Sequence, residues 1–240
     1  MNRKVIAVIG LRSGSKGIRD KNIKLINGKP MFGWVVEAAL RSKNVDKIII
    51  SSDSSQYLEL VNRHYPSVFT DLRPLKLAQD DEPEFNFISE LVNRLFIQKE
   101  LSSEDLVVRL HATSPLQTTQ DIDCCIDLLL KSNNITSVVA VKKAYQAEKM
   151  LHINNNESLG SQLVSIVDGT SESVTPKNRQ EFKPTYIRSN IIATRVAIIR
   201  SGTLTGNLSK PYVVKGIRID IDNPEDFYIA SLVLSDIENN

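Results

Sequence analysis

A turn rich in glycine and positive charge follows the first apolar segment of the 240-residue chain. Residues 5–9 have strand length, and Gly14 and Gly17 then allow backbone N–H groups to approach an anion closely. Ser13 and Ser15 add hydroxyl donors, and four cations complete the stretch: Arg12, Lys16, Arg19 and Lys21. The turn is therefore predicted to bind a polyanion such as a triphosphate. A solvated basic turn is the alternative.

The same turn narrowly misses the phosphate-binding motif of P-loop enzymes, Gly-x-x-x-x-Gly-Lys-Ser/Thr. Counting from Gly10, this chain has Ser15 at the second glycine and Gly17 at the hydroxyl position. Because that hydroxyl binds Mg²⁺ in P-loop proteins, its loss argues against a P-loop phosphotransferase.

Two aspartates near the other end of the chain form a second chemical signal. Asp220 and Asp222 lie two positions apart, in and beside an apolar stretch (residues 213–221) that is predicted to be a strand. Residues i and i+2 of a strand face the same side, so both carboxylates should point together. Such a pair suits Mg²⁺, which binds one or two carboxylates plus substrate phosphates. With the turn it predicts nucleotidyl or phosphoryl transfer; two exposed acids on an edge strand are the alternative.

Strand-length apolar runs alternate with helical stretches, a pattern typical of an α/β fold with a mostly parallel sheet. The predicted strands are residues 5–9, 47–51, 106–110, 137–141, 191–199 and 213–221. The predicted helices are residues 30–42, 54–65, 84–99, 119–132 (opening Thr-Thr-Gln-Asp) and one capped by Asn223. Ligands of such sheets bind beyond the carboxyl ends of the strands, so we expect the site at residues 11–22, 52–53, 111–117 and near Asp220.

Residues 142–186 interrupt this alternation with a polar segment of little periodicity. A stretch of this length inside a compact domain indicates a functional flap or an inserted subdomain. An insertion is favoured because four apolar residues offer something to bury: Leu163, Val164, Ile166 and Val167. A flexible loop is the alternative. The predicted domains are a core of residues 1–141 and 187–240 and a subdomain of residues 142–186.

Composition excludes several classes of protein. A net charge of +2 argues against a protein that binds nucleic acid through a large positive charge. The sequence contains no run of 18 apolar residues, so no membrane span is predicted. The chain opens without the layout of a signal peptide. The two cysteines, Cys124 and Cys125, are adjacent and are expected to be buried helix thiols. A cytoplasmic location is expected.

These stretches resemble motifs of the acylneuraminate cytidylyltransferases, the CMP-sialic acid synthetases and their CMP-nonulosonate relatives. That family's first motif, roughly Ile-Pro-Ala-Arg-x-Gly-Ser-Lys-Gly-Ile-x-x-Lys-Asn, matches residues 9–22. The other matches run in order along nearly the whole chain: Ser51-Ser52-Asp53, Arg73-Pro74, Leu77-Ala78-Gln79-Asp80, residues 112–116 and residues 219–227. The resemblance implies a Rossmann-like three-layer nucleotidyltransferase fold.

The resemblance also implies roles for individual residues. Nucleotide binding would fall to Arg12, Ser13, Gly14, Ser15, Lys16, Lys21, Asn22, Arg73 and Asp80, with Arg73 reading the cytosine. Arg12 and Lys21 would also act in catalysis, together with Asp220 and Asp222, which would hold Mg²⁺. The sugar contacts would be His111, Thr113, Ser114, Lys149, Arg179, Gln180, Arg188 and Asn190. The insertion would be the dimerisation subdomain of a homodimer.

The chain departs from the family pattern at five places. Gly10-Leu11 stands for Pro-Ala, His111 for Gln, Gln117 for Arg and Asn190-Ile191-Ile192 for Asn-Gly-Ala. Residues 81–84, Asp-Glu-Pro-Glu, replace a small hydroxyl-rich stretch that helps to read the base. These departures are expected to affect recognition of the base and the sugar more than binding of the phosphates. His111 is either a sugar contact or a histidine that ends a strand.

The reaction implied by the resemblance is attack of a nonulosonic acid's anomeric hydroxyl on the α-phosphate of CTP, giving a CMP-sugar and pyrophosphate. N-acetylneuraminate leads as the commonest substrate of the family. Legionaminic or pseudaminic acid is the alternative, whereas the eight-carbon Kdo fits less well because its enzymes have a shorter first motif. A non-catalytic nucleotide-binding homologue is also open, although the intact aspartate pair favours an enzyme.

Overall fold

The computed structural model describes residues 3–15, 17–144, 151–156, 160–165 and 184–239. The chain divides into two compact units, a core unit of Met1–Ala140 with Ser189–Asn240 and an inserted unit of Val141–Arg188. The dimerisation role expected of residues 142–186 stays a prediction.

The described helices and strands follow one another in the predicted α/β alternation. The strands are β1 (Val5–Gly10), β2 (Leu25–Ile26), β3 (Lys29–Pro30), β4 (Lys47–Ser52), β5 (Phe69–Leu72), β6 (Leu106–His111), β7 (Ser137–Lys143), β8 (Leu151–Asn156), β9 (Gly160–Ser165), β10 (Tyr186–Arg195) and β11 (Ser209–Val213). The helices are α1 (Met31–Leu40), α2 (Ser55–His64), α3 (Glu84–Ile97), α4 (Thr119–Leu130), α5 (Val196–Arg200) and α6 (Pro224–Asn239).

Seven strands form one sheet in the order β11-β7-β10-β6-β1-β4-β5. The pairings of β1 with β4 and β6, and of β4 with β5, are parallel, whereas β10 runs antiparallel to β6. Gly10, the last residue of β1, lies in register with Ser51 of β4 on one side and His111 of β6 on the other. Three parallel strands therefore end together, which is where a ligand site is expected.

The central strand β1 shows why the sheet is covered on both faces. Ala7 and Ile9 pack into an apolar cluster with side chains of α1, α2 and α4, while Ile6 and Val8 pack with α3 and α5 on the opposite face. Successive strand residues point to opposite faces, so a strand buried on both sides reads as an unbroken apolar run. The α/β class, with a mostly parallel sheet between two helical layers, is confirmed.

The helix starts follow local capping chemistry. The Ser54 hydroxyl accepts from the backbone N–H of Tyr57 at the start of α2. Thr118 and Asp121 form a reciprocal capping box at the start of α4. The side-chain oxygen of Asn223 accepts from the backbone N–H of Asp226 at 2.8 Å, which confirms Asn223 as the cap of α6.

Two predicted strands are wrong in part. The strand predicted over residues 213–221 shares only Val213 with the observed β11, and residues 214–223 have no regular secondary structure. Gly216, with φ of 75°, takes a conformation that an extended strand excludes. The strand predicted over residues 191–199 ends at Arg195, because Val196–Arg200 is helical and a short apolar run fits either structure. Strands β2, β3, β5, β8 and β9 are additional to the prediction.

The cysteine prediction holds for one of the two thiols. Cys125 is fully buried in α4, and burial raises its pKa, whereas Cys124 is partly exposed; both are free. Among the described residues, no helix combines the length and apolarity needed to cross a membrane.

Candidate functional site

The cationic turn (residues 11–22) leaves β1 and is anchored on the end of β4. The backbone N–H of Leu11 donates to the carbonyl of Ser51 at 2.8 Å, and the Ser52 hydroxyl donates to the carbonyl of Leu11 at 2.7 Å. The Asp53 carboxylate accepts from the backbone N–H of Ser13 at 2.9 Å and from its hydroxyl at 2.5 Å. The start of the turn is thus fixed by its neighbouring strand.

Two further hydrogen bonds hold the far end of the turn, and Gly14 allows its bend. The buried side chain of Asn22 donates to the carbonyl of Arg12 at 2.8 Å. Asp20 adopts a left-handed conformation with φ of 52°, and its carboxylate accepts from the hydroxyl of Tyr57 at 2.8 Å. Gly14 has φ of 72°, a value that a side chain would strain. Lys16 lies outside the described residues.

A cavity of ≈260 Å³ opens beside the turn. It is lined by Gly10, Arg12, Ser15, Asn22, Arg73, Leu77, Ala78, Gln79, Glu82, Glu84, Phe87, His111, Ala112 and Thr113. Of the predicted nucleotide and sugar residues, the fold thus brings six to one cavity: Arg12, Ser15, Asn22, Arg73, His111 and Thr113. We call this cavity the central pocket.

Arg12 is paired with the segment that precedes α3. Its Nη1 atom donates to the carbonyl of Gln79 at 3.1 Å and lies 2.9 Å from Asp80 Oδ1. Arg12 and Asp80, both predicted to bind the nucleotide, therefore contact each other. Both side chains are partly exposed, so this ion pair contributes little to stability.

Arg73 is a buried residue of the pocket lining. Only 5% of its surface is exposed, and its guanidinium stacks 4.3 Å from the centre of the Phe87 ring. Burial lowers the pKa of Arg73, although the negative charge of Asp53 acts in the opposite direction. A Cβ atom at Gly10 would lie 3.0 Å from Cζ of Phe87. The glycine that departs from the family's Pro-Ala therefore leaves room for the Phe87 ring.

A chain of charged side chains crosses the pocket at His111. The Nε2 atom of His111 lies 3.3 Å from Glu84 Oε2, which also lies 3.3 Å from Nε of the buried Arg109. The Nδ1 atom of His111 lies 3.7 Å from Asp220 Oδ2, and the Thr113 hydroxyl donates to the other oxygen of Asp220. Glu84, Arg109, His111, Thr113 and Asp220 form what we call the His111 chain.

The members of the His111 chain shift one another's pKa values. Burial favours neutral groups, yet the contacts with Asp220 and Glu84 raise the pKa of His111. Burial alone would raise the pKa of both carboxylates. The contacts with His111 and Arg109 nevertheless lower the pKa of Glu84, and the contacts with His111 and Thr113 lower the pKa of Asp220. Both carboxylates are therefore held ionised at neutral pH, and Glu84 lines the pocket.

Asp222 meets the cationic turn from the other end of the chain. Lys21 Nζ lies 3.1 Å from Asp222 Oδ1 and donates to the carbonyl of Ile221. A Cβ atom at Gly17 would lie 2.5 Å from the carbonyl oxygen of Asp222, so only glycine allows this approach. The turn and the aspartate pair are thus neighbours.

The aspartate pair is not part of a strand, which corrects the prediction, but burial still alternates along it. Ile221 is fully buried and donates its backbone N–H to the carbonyl of Thr113 at 2.9 Å, while Asp220 and Asp222 on either side reach solvent. Within the described part of the chain, no cluster of three or more His, Cys, Asp or Glu could hold a metal ion. Two carboxylates suit Mg²⁺, which can take its other ligands from phosphate and water.

The remaining predicted sugar contacts are only partly placed. The side chain of Asn190 donates to the hydroxyl of Ser114, so these two residues contact each other. Arg188 is exposed in the inserted unit. Lys149, Arg179 and Gln180 lie outside the described residues.

Sequence reasoning assigned no role to four residues of this site, Asp53, Glu84, Phe87 and Arg109, although it expects residues 52–53 at the site and residues 81–84 near the base. Asp53 follows a predicted strand directly and belongs to a matched motif, which is a usable signal. Arg109 is a charged residue inside an apolar strand, two positions before its carboxyl end. Glu84 and Phe87 carry no such signal, because they are ordinary residues in the first turn of an amphipathic helix.

Comparison with known proteins places these features in a family. A family profile described as cytidylyltransferase matches residues 6–202. An N-acylneuraminate cytidylyltransferase of Escherichia coli is 29% identical over 231 residues, which make up 96% of this chain and 52% of that protein. A CMP-N,N'-diacetyllegionaminic acid synthase of Legionella pneumophila is 27% identical over 96% of both chains. The chain thus spans about half the length of the first relative and nearly all of the second.

Solved structures agree on the fold. The structure of a CMP:2-keto-3-deoxy-manno-octonic acid synthetase complexed with CTP matches with a TM-score of 0.68. The match is 15% identical and covers 97% of this chain and 99% of the other. The predicted nucleotidyltransferase fold and the resemblance to acylneuraminate cytidylyltransferases are confirmed, and the chain belongs to the cytidylyltransferase family.

Proposed function

We propose that this protein transfers CMP from CTP to the anomeric hydroxyl of a nonulosonic acid and releases pyrophosphate, with N-acetylneuraminate as the first candidate acceptor. The observation that carries the proposal is the contact of Lys21 with Asp222, 3.1 Å apart although they are separated by 200 residues of sequence. A cationic turn in contact with a carboxylate pair suits a metal–nucleotide substrate.

The turn side of the cleft would grip the triphosphate. Arg12 and Lys21 now contact carboxylates that are partly or largely exposed, and phosphate oxygens can replace these partners. The backbone of Gly14 and Ser15 would add N–H donors to the same anion, while the N–H of Ser13 is held by Asp53. Both cations would then stabilise the charge that grows on the leaving pyrophosphate.

Asp220 and Asp222 would hold Mg²⁺, which supplies charge neutralisation at the phosphates and lowers the pKa of a bound hydroxyl. The contacts of His111 and Thr113 orient the Asp220 carboxylate and keep it ionised. Lys21 keeps a positive charge beside Asp222. These residues therefore fix the position and charge of both carboxylates before substrate arrives.

The reaction then needs positioning more than a protein nucleophile. The anomeric oxygen forms a bond to the α-phosphorus, the bond from that phosphorus to the bridging oxygen of the β-phosphate breaks, and the hydroxyl proton is released to solvent. Arg73, which stacks on Phe87 and is buried in the central pocket, would contact the cytosine. Holding both reactants in line supplies a large part of such a rate enhancement.

A second acceptor is favoured by one observation. The diacetyllegionaminic acid synthase of Legionella aligns along nearly the full length of both proteins, whereas the sialic acid enzyme of E. coli is about twice as long. His111 and residues 81–84 also depart from the family pattern, and three of these residues line the pocket: Glu82, Glu84 and His111. A diacetamido nonulosonate, legionaminic or pseudaminic acid, is therefore the second candidate.

A panel of acceptors tests the proposal. The protein is mixed with CTP, Mg²⁺ and, in separate reactions, N-acetylneuraminate, N,N'-diacetyllegionaminic acid, pseudaminic acid and Kdo, and the products are identified by mass. We expect CMP-sugar and pyrophosphate with one of the first three, and loss of both products when the metal is chelated. Pyrophosphate release with none of them would contradict the proposed activity.

We also propose a homodimer in the cytoplasm. The dimer is supported by the resemblance, and the cytoplasmic location by two neighbouring free thiols and by a substrate, CTP, made inside cells. Light scattering during size-exclusion chromatography should give twice the chain mass of 26.9 kDa. A mass of one chain would contradict the dimer.

A further inference from the structure

Asp53 stands directly behind the cationic turn and uses both of its carboxylate oxygens on one residue. Oδ1 accepts from the backbone N–H of Ser13 at 2.9 Å, and Oδ2 accepts from the Ser13 hydroxyl at 2.5 Å. We propose that Asp53 is a positioning residue that sets the turn in its triphosphate-binding shape before CTP arrives. This inference rests on the proposed function, because it assigns a task in the same site.

The geometry explains why this one contact can organise the turn. Ser13 lies between Arg12, which lines the central pocket, and Gly14, whose φ of 72° reverses the chain. Two bonds to one rigidly placed carboxylate fix both the backbone and the side chain of Ser13. Charge-assisted bonds of this kind are stronger than those between neutral groups.

Asp53 could either weaken or strengthen CTP binding, because its negative charge lies beside a site that is proposed to bind an anion. Burial alone would raise the pKa of Asp53, but the two bonds from Ser13 hold it below its ordinary value, and Arg73 adds to this shift. The carboxylate is therefore ionised. If repulsion dominated, removing the charge would strengthen CTP binding; if positioning dominates, as we infer, it weakens binding.

The chain contains a matched control at the other end of the same strand. Asp46 precedes β4, as Asp53 follows it, and its Oδ2 accepts from the backbone N–H of Val5 at 2.8 Å. Asp46 therefore fixes the start of β1, about 16 Å from the end of the strand that carries the turn. Changing Asp46 removes the same kind of bond and the same charge without touching the site.

The experiment measures CTP binding by calorimetry, with Mg²⁺ and without acceptor, for the wild type and the variants Asp53→Asn, Ser13→Ala and Asp46→Asn. We expect Asp53→Asn to weaken CTP binding by about tenfold or more. Asp46→Asn should leave it within twofold while lowering Tm by about 2–4 °C. In steady-state assays, Asp53→Asn should raise KM for CTP and leave KM for the acceptor unchanged, a split that a general loss of stability does not produce.

A double variant shows whether Asp53 acts through Ser13. Ser13→Ala should weaken CTP binding less than Asp53→Asn, and the double variant should bind no more weakly than Asp53→Asn alone, because both changes break one unit. If Asp53→Asn does not fold, Ser13→Ala decides: unchanged CTP binding overturns the inference and weaker binding supports it.

The outcomes separate the inference from the proposed function. A wild type that does not bind CTP overturns both. A wild type that binds CTP, with Asp53→Asn binding equally or more tightly, overturns the positioning role alone. Additive losses in the double variant also overturn it, since Asp53 would then contact the nucleotide without Ser13.

Discussion

The two sides of the central pocket hold their charges in different ways. On the turn side, Arg12 forms an ion pair with Asp80 and Lys21 forms one with Asp222, and the two carboxylates are 45% and 75% exposed. On the other side, four ionisable residues of the His111 chain, Glu84, Arg109, His111 and Asp220, lie beside partners that carry or can carry the opposite charge, and their side chains are at most about one-third exposed. Exposed pairs are weak and exchange partners easily, whereas the more buried contacts stay in place.

Under the proposed function, this difference would divide the work of recognition. The turn side would offer its charges to a triphosphate, while the His111 side would present a fixed arrangement of donors and acceptors. The aspartate pair joins the two sides, because Asp220 belongs to the His111 chain and Asp222 contacts Lys21. We therefore expect changes on the turn side to affect binding and rate, and changes at His111 to affect substrate choice.

The largest effect is expected where the two sides join. Asp222→Asn removes a charge proposed to hold Mg²⁺ and should lower kcat on the order of a hundredfold. The fold should survive, because this side chain is 75% exposed. Pyrophosphate release at saturating CTP, Mg²⁺ and acceptor measures the change. Glu225→Gln, an exposed acid of α6, is the control, and activity within a few-fold of wild type for Asp222→Asn rejects the metal role.

The next effect isolates the turn side. Lys21→Ala should raise KM for CTP by about tenfold, because a cation within reach of the triphosphate is lost. Lys24→Ala, which removes a nearby lysine stacked on Phe227, is the matched control and should leave KM for CTP unchanged. Initial rates over a range of CTP concentrations give the result. Equal CTP saturation in Lys21→Ala and wild type would remove Lys21 from the nucleotide site.

A smaller effect is expected on the other side. His111→Gln, which restores the residue typical of the family, should change the ratio of kcat/KM for two nonulosonic acids by about three- to tenfold. KM for CTP should stay within twofold, and His64→Gln on the exposed end of α2 serves as control. An unchanged acceptor ratio together with a raised KM for CTP would show that His111 belongs functionally with the turn.

The smallest effect concerns stability and pH. Because the pKa of Asp53 is lower in the folded chain than its ordinary value, its stabilising contribution is present above pH ~3.9 and is lost as pH falls through the folded pKa. Wild type should exceed Asp53→Asn in Tm by about 2–4 °C at pH 7, and the gap should close below pH ~4. Thermal unfolding followed by circular dichroism measures it. A gap that is constant from pH 7 to pH 3 would contradict the ionised, hydrogen-bonded state.

Much of the fold around the site could be predicted from the sequence, because it depends on interactions between residues close together in the chain. The apolar run of β1, the caps Ser54 and Asn223 and the glycines of the turn each act within a few residues. The same holds for the expectation that strand ends meet, which follows from parallel pairing. These features place the turn, Asp53 and His111 at one edge of the sheet.

The parts that could not be predicted depend on distant residues. Glu84 lies 27 positions from His111 and Ser13 lies 40 from Asp53, so neither contact has a local pattern. Strand β5 is a short edge strand without an apolar run, and it exists because β4 offers a partner. Residues 214–223 look like a strand by alternation, yet Gly216 bends the chain and Asp220 is held by Thr113 instead.

The central claim is that the turn and the aspartate pair grip one metal–nucleotide between them. A crystal structure with CTP and Mg²⁺ tests it most directly. We predict the triphosphate in contact with Arg12 and Lys21, with Mg²⁺ bound by Asp220 and Asp222 and by phosphate oxygens. A triphosphate bound away from the turn, or a metal ion that neither aspartate contacts, would contradict the account.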